Sequence, residues 1–276
     1  MAYSQPSLLS DALRMLEQAD TSVVAGGTDF YPALENGGQP GAILDVTRIA
    51  GFGEVTRRDD YIRIGAAVTW SDLLKLNLPP AFDALKQAAR EVGSLQIQNA
   101  GTIAGNICNA SPAADGVPPL LALDARVEVS SAQRGARVLS LDQFILGVRQ
   151  TALHNDELVT AVLIPKPPRN MLSGFEKLGS RKYLVISIVM TAANIVLDEA
   201  GRVAQARIAV GSCSTVAQRL FALERELIGQ NPERFKVTDE HLAPLAPIDD
   251  VRGTAIYRLD AVREQIARAV KKALQV

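Results

Sequence analysis

Two short glycine-rich stretches carry the residues best suited to chemistry. The first is VVAGGTDF, at residues 23–30, and the second is GTIAGN, at residues 101–106. Glycine lacks a Cβ, so its backbone N–H group can approach a ligand closely. A helix that starts after such a turn adds N–H donors and a partial positive charge. The combination predicts a site for an anion, most naturally a phosphate.

A strand–turn–helix junction must position the first stretch. The β-branched run at residues 21–25 predicts the strand, Gly26-Gly27 predict the turn, and Thr28 stands where a helix N-cap is expected. The hydroxyl of Thr28 could add a further donor to a phosphate. The same pattern is also typical of a plain structural junction in which Thr28 is only a cap.

The second stretch is followed by SPAAD, at residues 111–115. Pro112 stands where a helix can begin, and Asp115 lies near its first turn. Asp115 can accept a hydrogen bond from a sugar hydroxyl or simply complement the helix dipole, whereas Thr102 and Asn106 can reach a phosphate or ribose. Two such stretches in one domain favour a dinucleotide, because that ligand has two phosphates and two sugars.

Other nucleotide motifs are missing. GFGEV, at residues 51–55, begins like the dinucleotide fingerprint GxGxxG, but Thr56 replaces the third glycine and Glu54 would repel a phosphate. This segment is therefore expected to be a turn before a strand. No GxxxxGK[ST] sequence occurs.

Composition narrows the class of protein further. The chain has 276 residues, of which 47% are hydrophobic and 21% charged, so it can form an ordinary globular core. A net charge of -1 argues against a nucleic-acid partner. No signal peptide opens the chain and no run approaches the ~20 apolar residues of a membrane span. We expect a cytoplasmic protein without a membrane span.

Cysteine and histidine are too sparse for a metal site. Cys108 and Cys213 cannot supply the four thiolates that an iron–sulfur cluster usually takes, and both are expected to fill small buried spaces. His154 and His241 lack the spacing of metal ligands. The chain is therefore expected to bind no metal by itself.

Hydrophobic periodicity predicts an α+β fold in two parts. Helices are predicted at residues 8–19, 28–34, 70–76, 81–92, 118–125, 141–146, 216–229 and 256–274. Strands are predicted at residues 21–25, 42–47, 61–70, 126–131, 157–165, 172–178, 184–197 and 203–213. Gly37-Gly38 would end the helix at 28–34. The proline-rich segment PKPPRN, at residues 165–170, predicts a linker before an antiparallel C-terminal sheet.

Taken together, VVAGGTDF and NAGTIAGNICNASPAAD (residues 99–115) resemble the FAD-binding medium subunit of the molybdenum hydroxylases. That family includes xanthine dehydrogenase and carbon monoxide dehydrogenase. GSRKYLVISIV at 179–189 and DDVRGTAIYR at 249–258 are weaker matches, and the resemblance covers nearly the whole chain.

The resemblance implies a fold for each part of the chain. Residues 1–168 would form an FAD-binding domain of the vanillyl-alcohol-oxidase/PCMH type, and residues 169–276 would form the C-terminal molybdenum-hydroxylase flavoprotein domain. FAD would lie between them.

The resemblance also implies which residues bind FAD. They are Val23, Val24, Ala25, Gly26, Gly27, Thr28, Asp29, Phe30, Thr102, Ile103, Ala104, Gly105, Asn106, Asp115, Val159 and Lys177. The two glycine-rich stretches would wrap the pyrophosphate, and Lys177 would lie near the flavin end. There Lys177 could stabilise a negative reduced flavin or form only a surface salt bridge. Tyr183 could stack on the flavin ring or be a core or interface tyrosine.

The implied function is that of an oxidoreductase subunit that transfers electrons, in a heterotrimer. A small subunit with 2Fe–2S clusters would supply electrons to FAD, which would pass them to NAD or another acceptor. A large subunit with the molybdenum cofactor would hydroxylate the substrate, so no catalytic acid or base is assigned in this chain. At residues 183–185, Tyr-Leu-Val replaces the acidic residues of vertebrate xanthine enzymes, which leaves the acceptor open. Alternatives are a stand-alone flavin oxidase or dehydrogenase and a flavin-less scaffold.

Overall fold

The computed structural model of the protein describes residues 2–17, 20–34, 41–182 and 184–275. Gly37-Gly38 and Tyr183 lie outside the described residues, and so do the expectations attached to them. The strands are β1 (Tyr3–Ser4), β2 (Thr21–Val24), β3 (Ala42–Asp45), β4 (Val55–Arg57), β5 (Tyr61–Gly65), β6 (Arg126–Ser131), β7 (Gly135–Ser140), β8 (Ile145–Gly147), β9 (Gln150–Thr151), β10 (Glu157–Pro165), β11 (Leu172–Leu178), β12 (Val189–Leu197), β13 (Val203–Gly211) and β14 (Gln218–Arg219). The helices are α1 (Leu9–Leu16), α2 (Phe30–Leu34), α3 (Trp70–Lys75), α4 (Asp83–Glu91), α5 (Leu95–Ala100), α6 (Ile103–Asn109), α7 (Val117–Ala122), α8 (Leu141–Phe144), α9 (Phe221–Leu227), α10 (Asp239–Leu242) and α11 (Ala255–Leu274). A single 3-10 turn at Pro80–Phe82 leads into α4.

The strands form separate sheets that correspond to successive parts of the chain. A parallel sheet has the order β1-β3-β2, and an antiparallel sheet has the order β4-β5-β10-β6-β7. The C-terminal part is an antiparallel sheet in the order β11-β12-β13-β14, covered on one side by α11. The prediction of an α+β fold that ends in an antiparallel sheet is confirmed. In the described part of the chain, no helix is both long and apolar enough to cross a membrane.

Some element boundaries were predicted wrongly because side-chain capping overrides periodicity. The strand expected over 61–70 ends at Gly65, and α3 begins at Trp70. Thr69 caps that helix, since its hydroxyl accepts the N–H of Asp72 at 3.1 Å while the carboxylate of Asp72 accepts the Thr69 hydroxyl at 2.7 Å. Ser94 caps α5 with its hydroxyl, which accepts the N–H of Ile97 at 3.3 Å, and periodicity did not predict that helix.

Tertiary pairing accounts for the other differences. The helix expected over 216–229 starts only at Phe221, because β14 pairs with β13 first. The strand expected over 184–197 starts at Val189, after a left-handed Leu184 with φ of 52°. Strands β4 and β7 were not predicted, and each is an edge strand of the large antiparallel sheet.

The interface between the two parts of the chain combines a buried apolar cluster with directional hydrogen bonds. The cluster consists of Ala84, Ala88, Ala122, Phe175, Met190 and Ala192. The N-terminal end of α4 faces β11, where the hydroxyl of Ser173 accepts the N–H of Ala84 at 2.9 Å and donates to the carbonyl of Pro80 at 2.8 Å. One turn further along, the side chain of Gln87 accepts the N–H of Phe175 at 2.8 Å. These bonds are directional, so they define one orientation of the C-terminal sheet against the helix.

A buried ion pair completes this interface. The ammonium of Lys177 on β11 lies 2.7 Å from the carboxylate of Asp115, and their side chains are only 6% and 10% exposed. Lys177 also donates to the carbonyl of Glu91 at 3.1 Å, and the hydroxyl of Ser187 donates to Asp115 at 2.6 Å. Burial raises the pKa of Asp115, and the charge of Lys177 partly offsets that effect. The surface salt bridge considered for Lys177 is thus a buried one.

Asp115→Asn is expected to lower the free energy of unfolding by about 3 kcal/mol, because it leaves the Lys177 ammonium buried without its counter-charge. The double variant Asp115→Asn with Lys177→Met should lose less free energy of unfolding than the sum of the losses in the two single variants. Urea unfolding of all three variants measures this coupling. As a control, Lys75→Met, which removes an ion pair whose side chains are 75% and 51% exposed, should have little effect. Strictly additive losses would contradict the coupling.

Candidate cofactor site

A cavity of about 450 Å³ lies where the two glycine-rich stretches meet the large antiparallel sheet. Its volume is in the range of small-molecule and cofactor sites. The predicted residues that line it are Val23, Val24, Ala25, Gly26, Gly27, Thr28, Asp29, Phe30, Thr102, Ala104, Gly105, Asn106 and Val159. The first loop and the start of α6 are distant in sequence, and both line the same cavity.

The remaining predicted residues lie outside this wall. The side chain of Ile103 is fully buried in the hydrophobic core. Asp115 and Lys177 bond to each other in the interface described above, so the carboxylate and the ammonium each already have a protein partner. That interface borders the cavity. Lys177 donates to the carbonyl of Glu91, and the next residue, Val92, lines the cavity.

The two glycine-rich stretches contact each other directly. A Cβ on Gly26 would lie 1.8 Å from the carbonyl oxygen of Ala100, so no other residue fits at position 26 without moving the backbone. A Cβ on Gly101 would lie 3.4 Å from the hydroxyl of Thr28. Gly26 therefore serves first to bring two segments of main chain together, and the cavity forms beside that contact.

The first loop presents unused backbone donors to the cavity. Within the described part of the chain, the N–H groups of residues 26–30 donate to no acceptor. Gly27 adopts a left-handed conformation with φ of 68°, which lets consecutive N–H groups converge. Such a concave set of N–H groups is a typical site for a phosphate.

The start of α6 contributes less than its sequence suggests. The hydroxyl of Thr102 caps the helix by accepting the N–H of Gly105 at 2.9 Å, and the N–H of Ile103 donates to Val68 at 3.1 Å. The N–H of Ala104 has no acceptor in the described residues. The side-chain oxygen of Asn106 is also buried there without a hydrogen-bond partner, so it is available to a ligand.

Several residues on the cavity wall were not predicted. They are Trp70, Val92, Ile97, Cys108, Asn109, Arg149, Leu153, Glu157 and Leu158, with Ala33, Val46, Ala66 and Gly101. Gly101, Cys108 and Asn109 fall within the stretch at residues 99–115, whereas the others come from separate segments that no local motif marks. Trp70 is the one tryptophan of the sequence, which makes it a spectroscopic probe of this cavity.

Charged side chains on the wall are few. Among the described residues they are Asp29, Arg149 and Glu157. Glu157 forms a two-pronged ion pair with Arg137 at 2.8 and 2.7 Å, which holds the pKa of that carboxyl below its usual range. The carboxylate of Glu157 is therefore charged near pH 7, and its role is structural. The arrangement can bind an anionic molecule, and among the described residues its wall contains no pair of mutually bonded acid and base groups.

Burial also limits the chemistry of the thiols. Desolvation raises the pKa of Cys108, on the cavity wall, to about 12, and it raises the pKa of Cys213 to about 12 as well. Both cysteines are free thiols. They are neutral near pH 7 and fill space, as the sequence indicated.

Comparison with known proteins agrees with this geometry. Residues 1–167 match the family described as "FAD binding domain in molybdopterin dehydrogenase", and residues 175–273 match the "CO dehydrogenase flavoprotein C-terminal domain". The chain is 31% identical over 281 residues to the nicotine 6-hydroxylase medium subunit of Paenarthrobacter nicotinovorans, covering 98% of this chain and 96% of that one. It is 33% identical over 255 residues to the nicotinate dehydrogenase FAD-subunit of Eubacterium barkeri, covering 88% and 80%.

Similarity extends to solved structures. The reconstituted CO dehydrogenase from Oligotropha carboxidovorans superposes with a TM-score of 0.91 at 25% identity, covering 99% of this chain and 97% of that one. FAD is thus the cofactor, as predicted. The residues present suit it, because the free N–H groups of residues 26–30 and the buried, unpartnered oxygen of Asn106 match a molecule rich in phosphate and hydroxyl groups.

Gly27→Ala is expected to lower FAD affinity at least about tenfold, because a Cβ would lie 2.5 Å from the ring of Tyr31 and would displace the loop that carries the free N–H groups. Gly51 is a matched control, since it has φ of 79° and open space where a Cβ would stand. Gly51→Ala should lose about 1 kcal/mol of stability through backbone strain, and Gly27→Ala should lose more, because the ring of Tyr31 must also move. Flavin titration and thermal melting measure the two effects. Equal FAD affinity in both variants would contradict this placement of the phosphates.

At pH 8, only about one in ten thousand molecules of either cysteine should be a thiolate, given a pKa near 12. Titration of the folded chain with a thiol-reactive disulfide reagent should therefore show no fast phase. Both thiols should react after unfolding in urea. A thiol of the folded chain that reacts as fast as free cysteine would show that the raised pKa is wrong.

Proposed function

Since this chain belongs to the FAD-binding medium subunits of the molybdenum hydroxylases, we propose that it is the electron-transfer subunit of such a complex. Bound FAD would accept electrons from 2Fe–2S clusters of a small partner subunit and deliver them to NAD or another acceptor. A large partner subunit with the molybdenum cofactor would act on the substrate. The assembly would be a heterotrimer in the cytoplasm, which suits two free thiols.

The observation that carries the proposal is a cofactor cavity walled by main chain and apolar groups. Its anion site consists of backbone N–H groups, and Glu157 is already neutralised by Arg137. An enzyme that oxidises its own substrate needs a positioned group to take up or donate a proton. A subunit that only passes electrons needs its cofactor held and oriented, which is what this wall can do.

The residues of the chain have distinct tasks in this proposal. The backbone of residues 26–30 would bind the pyrophosphate, and Asn106 would accept a hydrogen bond from a cofactor hydroxyl. Thr102 would hold the start of α6 in place through its cap. We further propose that Lys177, fixed by Asp115, places a positive charge beside the flavin end of the cavity.

The proposal places the domain boundary after residue 168. Strand β10 ends at Pro165 and β11 begins at Leu172, so Pro167 and Pro168 lie in the connection between two different sheets. Residues 1–168 would then hold FAD, and residues 169–276 would close the cavity edge through Lys177.

The electron acceptor in this proposal is NAD or another molecule. Leu184 is 55% exposed, and the side chain of Val185 packs against Gly179. The described part of the segment at 183–185 therefore presents apolar side chains at the end of the C-terminal domain nearest Lys177. These side chains offer no charge for recognition of a polar acceptor.

The test is a pull-down of the tagged chain from its host, with flavin, iron and molybdenum assayed together. We expect FAD on this chain, and iron and molybdenum on a small and a large partner that co-purify. Reduction of the complex by its substrate should bleach the flavin absorbance, whereas the isolated chain should show no turnover. FAD without partners, together with turnover by the isolated chain, would support a stand-alone flavin oxidase or dehydrogenase. A colourless chain would support a scaffold.

A further inference from the structure

A second cavity, of about 600 Å³, lies between the two parts of the chain. Helix α7, strands β6 and β7 and helix α8 line it from the N-terminal part, and β14 with the start of α9 lines it from the C-terminal part. None of its described lining residues also lines the cofactor cavity. Its volume is in the range of small-molecule sites, so it is a separate place where a ligand can bind.

Much of the wall of this second cavity is apolar. Val117 and Leu121 of α7 contribute to it, and so do Ile145 and Phe221. The ring of Phe221 is 57% exposed, and the guanidinium of Arg219 lies 5.0 Å from the ring centroid. An exposed aromatic ring on a cavity wall offers a stacking surface to another flat ring. The wall therefore suits a ligand with a flat apolar body.

One group of charged residues at this cavity is already neutralised. Arg219 forms a two-pronged ion pair with Glu224 at 2.5 and 2.6 Å and also contacts the carboxylate of Asp124 at 2.7 Å. Arg207 contacts the other carboxylate oxygen of Asp124 at 2.9 Å. Two arginines thus balance two carboxylates. This group joins the two parts of the chain across the cavity and holds its shape, but it leaves no charge for a ligand.

Two opposite charges at the same cavity are not neutralised. Arg126 and Asp142 both line it, and both are exposed. Their segments adjoin, because Arg126 pairs with Ser140 in the register of β6 and β7. Within the part of the chain that the structure describes, neither side chain forms an ion pair with the other or with any further residue. A molecule that carries both a carboxylate and an ammonium would satisfy the two charges together.

Helix α7 connects the second cavity to the cofactor cavity. Val117, its first residue, lines the second cavity, and Gly116 precedes it. A Cβ on Gly116 would lie 2.4 Å from the ring of Trp70 and 2.9 Å from the side-chain oxygen of Asn106. Both of those residues line the cofactor cavity. A ligand that packs against Val117 therefore restrains the backbone that supports Asn106.

We propose that the second cavity is an effector site for an aromatic zwitterion, whose carboxylate pairs with Arg126, whose ammonium pairs with Asp142 and whose ring packs against Phe221. A bound effector restrains α7 and thereby strengthens FAD binding. The binding of the zwitterion is independent of the proposed function of the chain. Only the coupling rests on the placement of FAD in the cofactor cavity.

The experiment titrates the full chain by calorimetry with three probes that share a phenyl ring. L-Phenylalanine carries both charges, 3-phenylpropanoate lacks the ammonium and 2-phenylethylamine lacks the carboxylate. We expect L-phenylalanine to bind with a Kd below about 1 mM and each of the other two probes to bind at least about fivefold more weakly. Absence of L-phenylalanine binding, or equal Kd values for all three probes, would overturn the site.

Single variants assign each charge of the probe to one residue. Arg126→Gln should weaken L-phenylalanine and 3-phenylpropanoate at least about fivefold and leave 2-phenylethylamine unchanged. Asp142→Asn should weaken L-phenylalanine and 2-phenylethylamine and leave 3-phenylpropanoate unchanged. Arg58→Gln is the matched control, because Arg58 is an exposed arginine outside this cavity, and it should change no constant. Losses that do not follow the charge of the probe would contradict the assigned contacts.

The coupling is measured as the ratio of L-phenylalanine Kd values in the flavin-free and the FAD-loaded chain. We expect binding to the FAD-loaded chain to be about fivefold tighter, and FAD should bind tighter by the same factor when L-phenylalanine is present. Equal Kd values in both forms would overturn the effector role. Tight FAD binding by Gly27→Ala, with the probe pattern intact, would instead contradict the placement of FAD, so the two failures are distinguishable.

Discussion

The close approach of two backbone segments is the constraint on which the site depends. The carbonyl of Ala100 lies only 1.8 Å from where a Cβ on Gly26 would stand, so the turn after β2 and the end of α5 can touch only through glycine. This contact brings the parallel sheet against the segment that starts α6. Because side chains are excluded there, main-chain N–H groups remain exposed beside the contact. Free N–H groups at this point are a consequence of close packing.

The rest of the cavity wall also contains few charged groups. Few charged side chains line it, and the carboxylate of Glu157 is held by Arg137. Helix α6 uses most of its first N–H groups on its own cap and on Val68. The protein therefore contributes position, hydrogen bonds and a few fixed charges, and it leaves the redox chemistry to the cofactor.

The interface between the two parts of the chain complements this site. It combines directional hydrogen bonds from Ser173 and Gln87 with the buried pair of Lys177 and Asp115. A buried ion pair adds little net stability, but breaking one partner is costly. Such an interface specifies one relative orientation.

The sequence alone determined the class of fold, the family and the two glycine-rich stretches, because these depend on local patterns that a few neighbouring residues express. Turn glycines, the alternation of the C-terminal strands and the prolines at 165–170 are of this kind. It did not determine α5 or the short edge strand β7, where a cap or a neighbouring strand decides the conformation.

Only the tertiary structure decided which residues meet around the cavity. Trp70, Val92 and Arg149 come from separate segments, and nothing in their local sequence marks them as neighbours. It also decided that Asp115 and Lys177, 62 positions apart, neutralise each other. Contacts of that kind depend on the register of strands and the packing of helices, which are properties of the whole chain, whereas a glycine turn is a property of a few residues.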